Sequence, residues 1–205
     1  MSTPVGFAIN GLLLGGGLEL ALACDLRVAV RDVQLIGSPE TTLGLIPGAG
    51  ATQRLLRWTN DLQWASDVLR SGLPYSAETA HAKGIVDTLC DAGNLIDTTI
   101  TLLLDRDTWP SFEDGPLNLS NIKRTPLVEL TASMPNDKRP DPATDQICIS
   151  AIARGAATTI REGLKIESER FGRAAVTDVA CERVARFVGK PNFKAQEQLP
   201  EPVHA

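Results

Sequence analysis

The stretch Ala8-Ile9-Asn10-Gly11-Leu12-Leu13-Leu14-Gly15-Gly16-Gly17-Leu18-Glu19-Leu20-Ala21-Leu22-Ala23-Cys24-Asp25 decides how this chain folds. Pro4 to Ile9 is short and continuously apolar, the pattern of a buried strand. Asn10-Gly11 is a turn signal, and Leu18 to Ala23 is a strong helix-forming run. Gly15-Gly16-Gly17 sits between strand and helix, where residues without a Cβ let backbone amides point outward. The helix start adds its positive dipole end. Two readings of the glycines stand side by side: a site for developing negative charge, or a tight turn that lets the helix pack on a sheet. The spacing is not GxGxxG and no Lys-Ser/Thr follows, which excludes a dinucleotide fingerprint and a P-loop.

Glu19 lies in the first turn of that otherwise aliphatic helix, and its neighbours Leu18, Leu20, Ala21 and Leu22 offer it no polar face. Glu40 follows Pro39 in a loop-rich segment, Gly37 to Gly50, where a carboxylate also fits as a cap or a plain loop residue. Two carboxylates facing one cavity can hold a water between them, one taking a proton as the other gives one. Beside an oxyanion site, that pair suits chemistry α,β to a carbonyl, where an enolate must be stabilised.

Leu26 to Val30 and Val33 to Ile36 read as further strands, and Ala51 to Trp58 and Asp61 to Arg70 as helices. Ser76 caps a short helix that Gly84 ends, Ile85-Val86 begins a strand, and a helix from about Asn94 to Leu104 follows. From Asp107 to Thr144 six prolines and many charges interrupt any period; helical patterns return over Ile147 to Ala157, Thr159 to Arg173 and Val179 to Val188. The expected organisation is a core over 1–106, a proline-rich linker over 107–143, a helical region over 144–189 and a disordered tail over 190–205.

Of 205 residues 43% are hydrophobic but only 4% aromatic, so the core must be built from Leu, Ile, Val and Ala. A net charge of −5 gives no basic footprint for nucleic acid. The apolar runs are broken at Asn10-Gly11 and by Glu19 and Asp25, short of the roughly 20 consecutive apolar residues a membrane span needs. Cys24, Cys90, Cys148 and Cys181 lack metal-ligand spacing, and the two histidines, His81 and His204, are far from Cys24. The thiols are therefore expected to be reduced and mostly buried in an intracellular protein, with no metal site and no Cys or Ser triad.

Taken together, Ala8–Gly11, Leu14–Gly17, Glu19–Asp25, Pro39-Glu40, Leu43-Gly44, Ile46–Gly50 and Thr52–Leu55 closely resemble the central part of the enoyl-CoA hydratase/isomerase (crotonase) family. Residues 60–89 continue the likeness through Ala77–Val86. The resemblance implies an α/β fold, a partial crotonase-like ββα spiral core followed by a C-terminal helical region. Glu19 and Glu40 would be the acid/base pair that activates water, the amide of Gly16 would bind the thioester oxygen, and Gly17 and Gly48 would line the oxyanion and substrate site. Both glutamates together are the hydratase pattern, syn addition of water to a 2-enoyl-CoA thioester or the reverse; a single glutamate suffices for Δ3,Δ2-enoyl-CoA isomerisation. No cofactor is implied beyond the coenzyme A that the substrate carries.

Pro142 to Gly189, with Glu162-Gly163, Glu167, Glu169, Phe171 and Ala180–Phe187, resembles the segment that follows the hydratase part of multifunctional β-oxidation enzymes. The alternative is an ordinary amphipathic helical region. The family's N-terminal strands, part of its coenzyme A pocket and its second oxyanion amide have no counterpart, which implies an N-terminally truncated copy. Such a copy would act as a homo-oligomer (trimer or hexamer), or as an impaired subunit completed by another chain. Asp25 to Pro39 is one residue longer than the family pattern, leaving the placement of Glu40 to a bulge at Gly37. Val203-His204-Ala205 is not a peroxisomal Ser-Lys-Leu signal, so cytoplasm, mitochondrion and peroxisome all stay open.

Overall fold

A computed structural model describes residues 3–111 and 114–189, so the expected tail over 190–205 lies outside the described residues. Strand β1 (Gly6–Ile9) leads through a turn to β2 (Leu13–Leu14) and helix α1 (Gly16–Leu22). Strands β3 (Leu26–Val30) and β4 (Ile36–Gly37) repeat the order, followed by a 3₁₀ turn over Pro39–Leu43 and helix α2 (Ala51–Trp58). Helices α3 (Leu62–Ser71) and α4 (Ala77–Ala82), strand β5 (Thr88–Cys90) and helix α5 (Leu95–Leu104) complete this part. A short helix α6 (Leu127–Leu130) then precedes α7 (Pro142–Ala156), α8 (Ile160–Ala175) and α9 (Asp178–Phe187).

The ββα repeat is visible in how the strands divide. One strand of each repeat enters a parallel sheet ordered β1-β3-β5, and the other enters a two-stranded parallel sheet, β2-β4. Gly6 pairs with Leu26 in the first sheet, and Leu13 with Ile36 in the second. Val33–Ile36 is not a full strand. The ladder holds only Ile36 and Gly37, paired with Leu13 and Leu14, because β2 runs directly into the turn at Gly15, where φ is +56°. Ile85 and Val86 likewise do not begin β5: both amides bond to the Ala80 carbonyl and close the end of α4. Helix α7 starts earlier than its apolar period, at Pro142, because Asp141 caps Ala143 and Thr144 and proline is free to occupy the first turn.

Buried Leu, Ile, Val and Ala form one cluster reaching from Ile9 through Ile36, Ile46, Leu55 and Leu69 to Cys148, Ile152 and Ala156 on α7. All four cysteines are free, and Cys24, Cys148 and Cys181 are buried. Every residue of β3 is buried, Arg27 included. Its guanidinium is satisfied by the Ile85 and Cys24 carbonyls and by Asp87, and it stacks 3.9 Å from the Trp58 ring centre. Among the described residues no helix is long and apolar enough to cross a membrane.

Helix α7 is joined to the core by charge as well as by packing. Arg70 on α3 forms a two-pronged pair with Asp145, Nε to Oδ1 at 2.8 Å and Nη2 to Oδ2 at 3.1 Å, and donates to the Thr125 carbonyl at 2.8 Å. Arg70 and Asp145 are 2% and 4% exposed, and Asp67 is a more distant second partner of Arg70 at 3.7 Å, so removing Asp145 takes from a buried guanidinium its two short charged contacts. Asp145→Ala is expected to destabilise the fold by about 3–5 kcal/mol in denaturant unfolding; a loss within experimental error would contradict this role for the pair.

Candidate functional site

Gly15 opens α1 with a backbone that a side chain would strain, φ +56° and ψ −127°. Its amide bonds to the Gly37 carbonyl at 2.9 Å, so β4 ends against this turn. Three residues beyond Gly37 comes Glu40, whose Oε1 lies 2.7 Å from where a Cβ on Gly15 would stand. Gly37 pairs in register with Leu14, so no bulge stands there, and Glu40 arrives at the glycine turn directly from this ladder. Gly16 and Gly17 follow on the exposed side of that turn, and open space surrounds the Cβ position of Gly16.

Glu19 rises from the same turn, its amide bonded to the Gly15 carbonyl at 3.1 Å, and its side chain is 5% exposed. Oε1 accepts hydrogen bonds from the amides of Ala49 at 2.7 Å and Ala51 at 3.1 Å. Those amides belong to the start of α2, which lacks a side-chain cap of its own and begins at Gly50 with φ +123°. A buried carboxylate from α1 thus supplies acceptors that the local sequence does not.

A second carboxylate reaches the same helix start. Glu167 on α8 is 1% exposed, and its Oε2 accepts from the Thr52 amide at 2.8 Å and the Thr52 hydroxyl at 2.5 Å. Phe171, one turn further along α8, covers Gly48: a Cβ there would stand 2.6 Å from the ring. The Gln53 side chain fills the notch left by Gly155 and Gly163 between α7 and α8 and donates to the Ala151 carbonyl at 3.2 Å.

Two of these acids hold their protons unusually well. Burial pushes the Glu40 carboxyl up to about 7, the Glu19 charge adding to the effect, and Oε2 of Glu40 is buried with no protein donor. Burial also raises Glu167 to about 7, against the opposing pull of the Thr52 hydroxyl and with the Glu19 charge again adding. Both glutamates therefore feel the charge of Glu19.

Glu40 borders a cleft of about 500 Å³ whose walls are Leu14, Gly15, Pro39, Thr42 and Leu43 on one side and Lys138, Arg183, Arg186 and Phe187 on the other. Arg183 binds α9 to the turn carrying Glu40 through the Thr42 carbonyl at 2.9 Å, and to the segment before α7 through the Arg139 carbonyl at 2.7 Å. A Cβ on Gly44 would lie 2.9 Å from the Ala180 backbone, so the helix rests directly on the chain. Among the described residues no group of three or more His, Cys, Asp or Glu side chains is placed to hold a metal ion.

The residues singled out in the sequence thus meet around one turn: Glu19, Glu40, Gly16 and Gly17, with Gly48 under the Phe171 ring a short step along the chain from Ala49. Cys24 packs inside, its thiol donating to the Leu20 carbonyl. Sequence reasoning missed three participants. Gly15 was hidden within a run of three glycines, only one of which has positive φ. The grip of Glu167 on Thr52 spans 115 positions, and the side chains that α9 adds to the cleft come from as far along the chain.

The family model for enoyl-CoA hydratase/isomerase matches residues 1–105. A peroxisomal fatty acid beta-oxidation multifunctional protein from Arabidopsis thaliana is 36% identical over 187 residues, covering 86% of this chain and 25% of that protein. The fatty acid oxidation complex subunit alpha of Shewanella loihica is 34% identical over 186 residues, covering 87% of this chain and 26% of the relative. The chain spans about a quarter of the length of these curated relatives. A solved carnitinyl-CoA dehydratase from Mycobacterium avium matches with a TM-score of 0.60 at 25% identity, over 95% of this chain and 63% of that one.

The raised Glu40 carboxyl links stability to pH. Below its ordinary value of 4.5 it is protonated whether folded or not, whereas near 7 and above the folded protein must bury the charge. Its contribution to stability is therefore lost as pH rises from 4.5 to about 7. Glu40→Gln cannot ionise there, so its stability relative to the parent is expected to improve across this window by on the order of 1–3 kcal/mol. Urea unfolding at several pH values measures this, and a difference independent of pH would contradict it.

Proposed function

The chain belongs to the enoyl-CoA hydratase/isomerase family, and from that premise we propose that it adds water syn across the double bond of a 2-enoyl-CoA thioester, or catalyses the reverse dehydration. The observation that carries the reading is the meeting of Glu19 and Glu40 at one glycine turn, the second with its carboxyl near 7. Oε1 of Glu19 is committed to the Ala49 and Ala51 amides, which leaves Oε2 to orient a water. That water gives up a proton to the carboxylates as its oxygen bonds to C3. The π electrons of C2=C3 shift toward the thioester, whose developing negative oxygen takes a hydrogen bond from the Gly16 amide. The resulting enolate then takes a proton at C2 from the carboxyl pair. An acid that titrates near neutrality, as Glu40 does, can both give and accept protons at working pH.

Further support is the likeness to the Mycobacterium avium carnitinyl-CoA dehydratase and to the longer relatives of fatty acid β-oxidation. We place the acyl chain along Leu14, Leu43 and Phe187 in the cleft beside Glu40. Crotonyl-CoA hydration by the parent chain, Glu19→Gln and Glu40→Gln tests this. Each variant is expected to lose about 10²-fold or more in kcat. Parental rates in both would sink the proposal, and conversion of a 3-enoyl-CoA without hydration would replace it by the isomerase reading.

We further propose that the chain works in association with another copy or a complementing chain. Leu12 and Leu20 are 72% and 60% exposed, and β1 among the described residues pairs with β3 alone. Exposed apolar side chains and an open strand edge each favour coverage by another chain. Light scattering of the purified chain is expected to give a mass above that of one copy; an active monomer would contradict association.

A further inference from the structure

We propose that Glu167 is a positioning residue for Glu19, acting through the first turn of α2. The proposal rests on the acid–base role given to Glu19 above, and adds to it a residue on a helix that follows the region matched by the family model. Two carboxylates divide the leading donors of α2 between them. Glu19 takes the amides of Ala49 and Ala51, and Glu167 takes the amide and hydroxyl of the next residue, Thr52. Since α2 has no side-chain cap of its own, these tertiary contacts are what orient its first turn.

Thr52 is completely buried and Glu167 is 1% exposed, so neither can turn to solvent if the other is lost. Truncating Glu167 leaves two buried donors without an acceptor, a state that proteins avoid by moving backbone. The backbone that carries the Thr52 amide is the Ala49–Thr52 segment, whose Ala49 and Ala51 amides hold Glu19. Around it the fit is close: Phe171 lies on Gly48, and Gln53 fills the notch beside Gly163, where a Cβ would stand 2.5 Å from Oε1. The helix that carries Glu167 thus sets the segment from both ends. A packing anchor alone would need only apolar contact; the acceptor at Thr52 is the feature that matters, and Glu167→Gln keeps it.

Amide hydrogen exchange, followed by NMR on the full chain, tests this without relying on catalysis. In Glu167→Ala, the amides of Ala49 and Ala51 are expected to exchange about tenfold faster or more, while amides in β3 keep their rates. Glu167→Gln is expected to restore protection to within about threefold. Unchanged rates at Ala49 and Ala51 in the alanine variant would overturn the proposal, as would equal loss in the glutamine variant. Should the alanine variant fail to fold, Thr52→Val, which removes the hydroxyl but keeps the amide, carries the test: faster exchange at Ala51 supports the coupling, and parental rates overturn it. In the hydration assay the accompanying result is a lower kcat at unchanged KM, rescued by glutamine. A parent chain without hydration activity would instead count against the function proposed for Glu19, leaving the exchange result to decide the coupling.

Discussion

Helix α2, eight residues long and entered through Gly50, has no side-chain cap from its own sequence, and two buried acids compensate for that. Glu19 and Glu167 approach it from α1 and α8 and between them accept four hydrogen bonds. Burying a carboxylate costs several kcal/mol unless donors meet it, and leaving a buried donor unmet costs about 1–3 kcal/mol. Each partner is therefore tolerable only because the other is present. The C-terminal helices are for this reason part of the site's construction: α8 supports the backbone that holds Glu19, and α9 forms a wall of the cleft beside Glu40.

The second constraint is the closeness of Glu40 to Gly15. A side chain at 15 would meet the carboxylate and would have to adopt positive φ, so two independent reasons keep the position glycine. The same closeness puts Glu40 into the field of Glu19 while burial removes it from water, and both effects favour its protonated form. Two acids with different surroundings at one turn are what proton transfer near neutral pH requires.

Much of this could be read along the chain. Helix α2 runs from Ala51 to Trp58 as its pattern predicts, and Asp61 and Ser76 cap α3 and α4 because short polar side chains at those points satisfy leading amides. Glu19 drew attention as a charge in aliphatic company, and burial bears that out physically. Strands of two residues were beyond reach: Leu13–Leu14 and Ile36–Gly37 are too short to show any period, and their existence depends on each other. Nor could local patterns show which buried polar groups would meet. Thr52 reads as an ordinary helix residue and Glu167 as one of several acids on an amphipathic helix until the fold brings them together. Proline at 142 reads as a break, and becomes a helix start only once Asp141 is seen to cap it.

If both carboxyls serve a single water at one turn, the new C–O and C–H bonds must form on the same face of the substrate. Converting a 2-enoyl-CoA in deuterium oxide and resolving the relative configuration at C2 and C3 by NMR measures this directly. The account predicts a 3-hydroxyacyl-CoA with one deuterium at C2, in a single diastereomer corresponding to syn addition. Anti addition, or a mixture of both diastereomers formed during turnover, would contradict it.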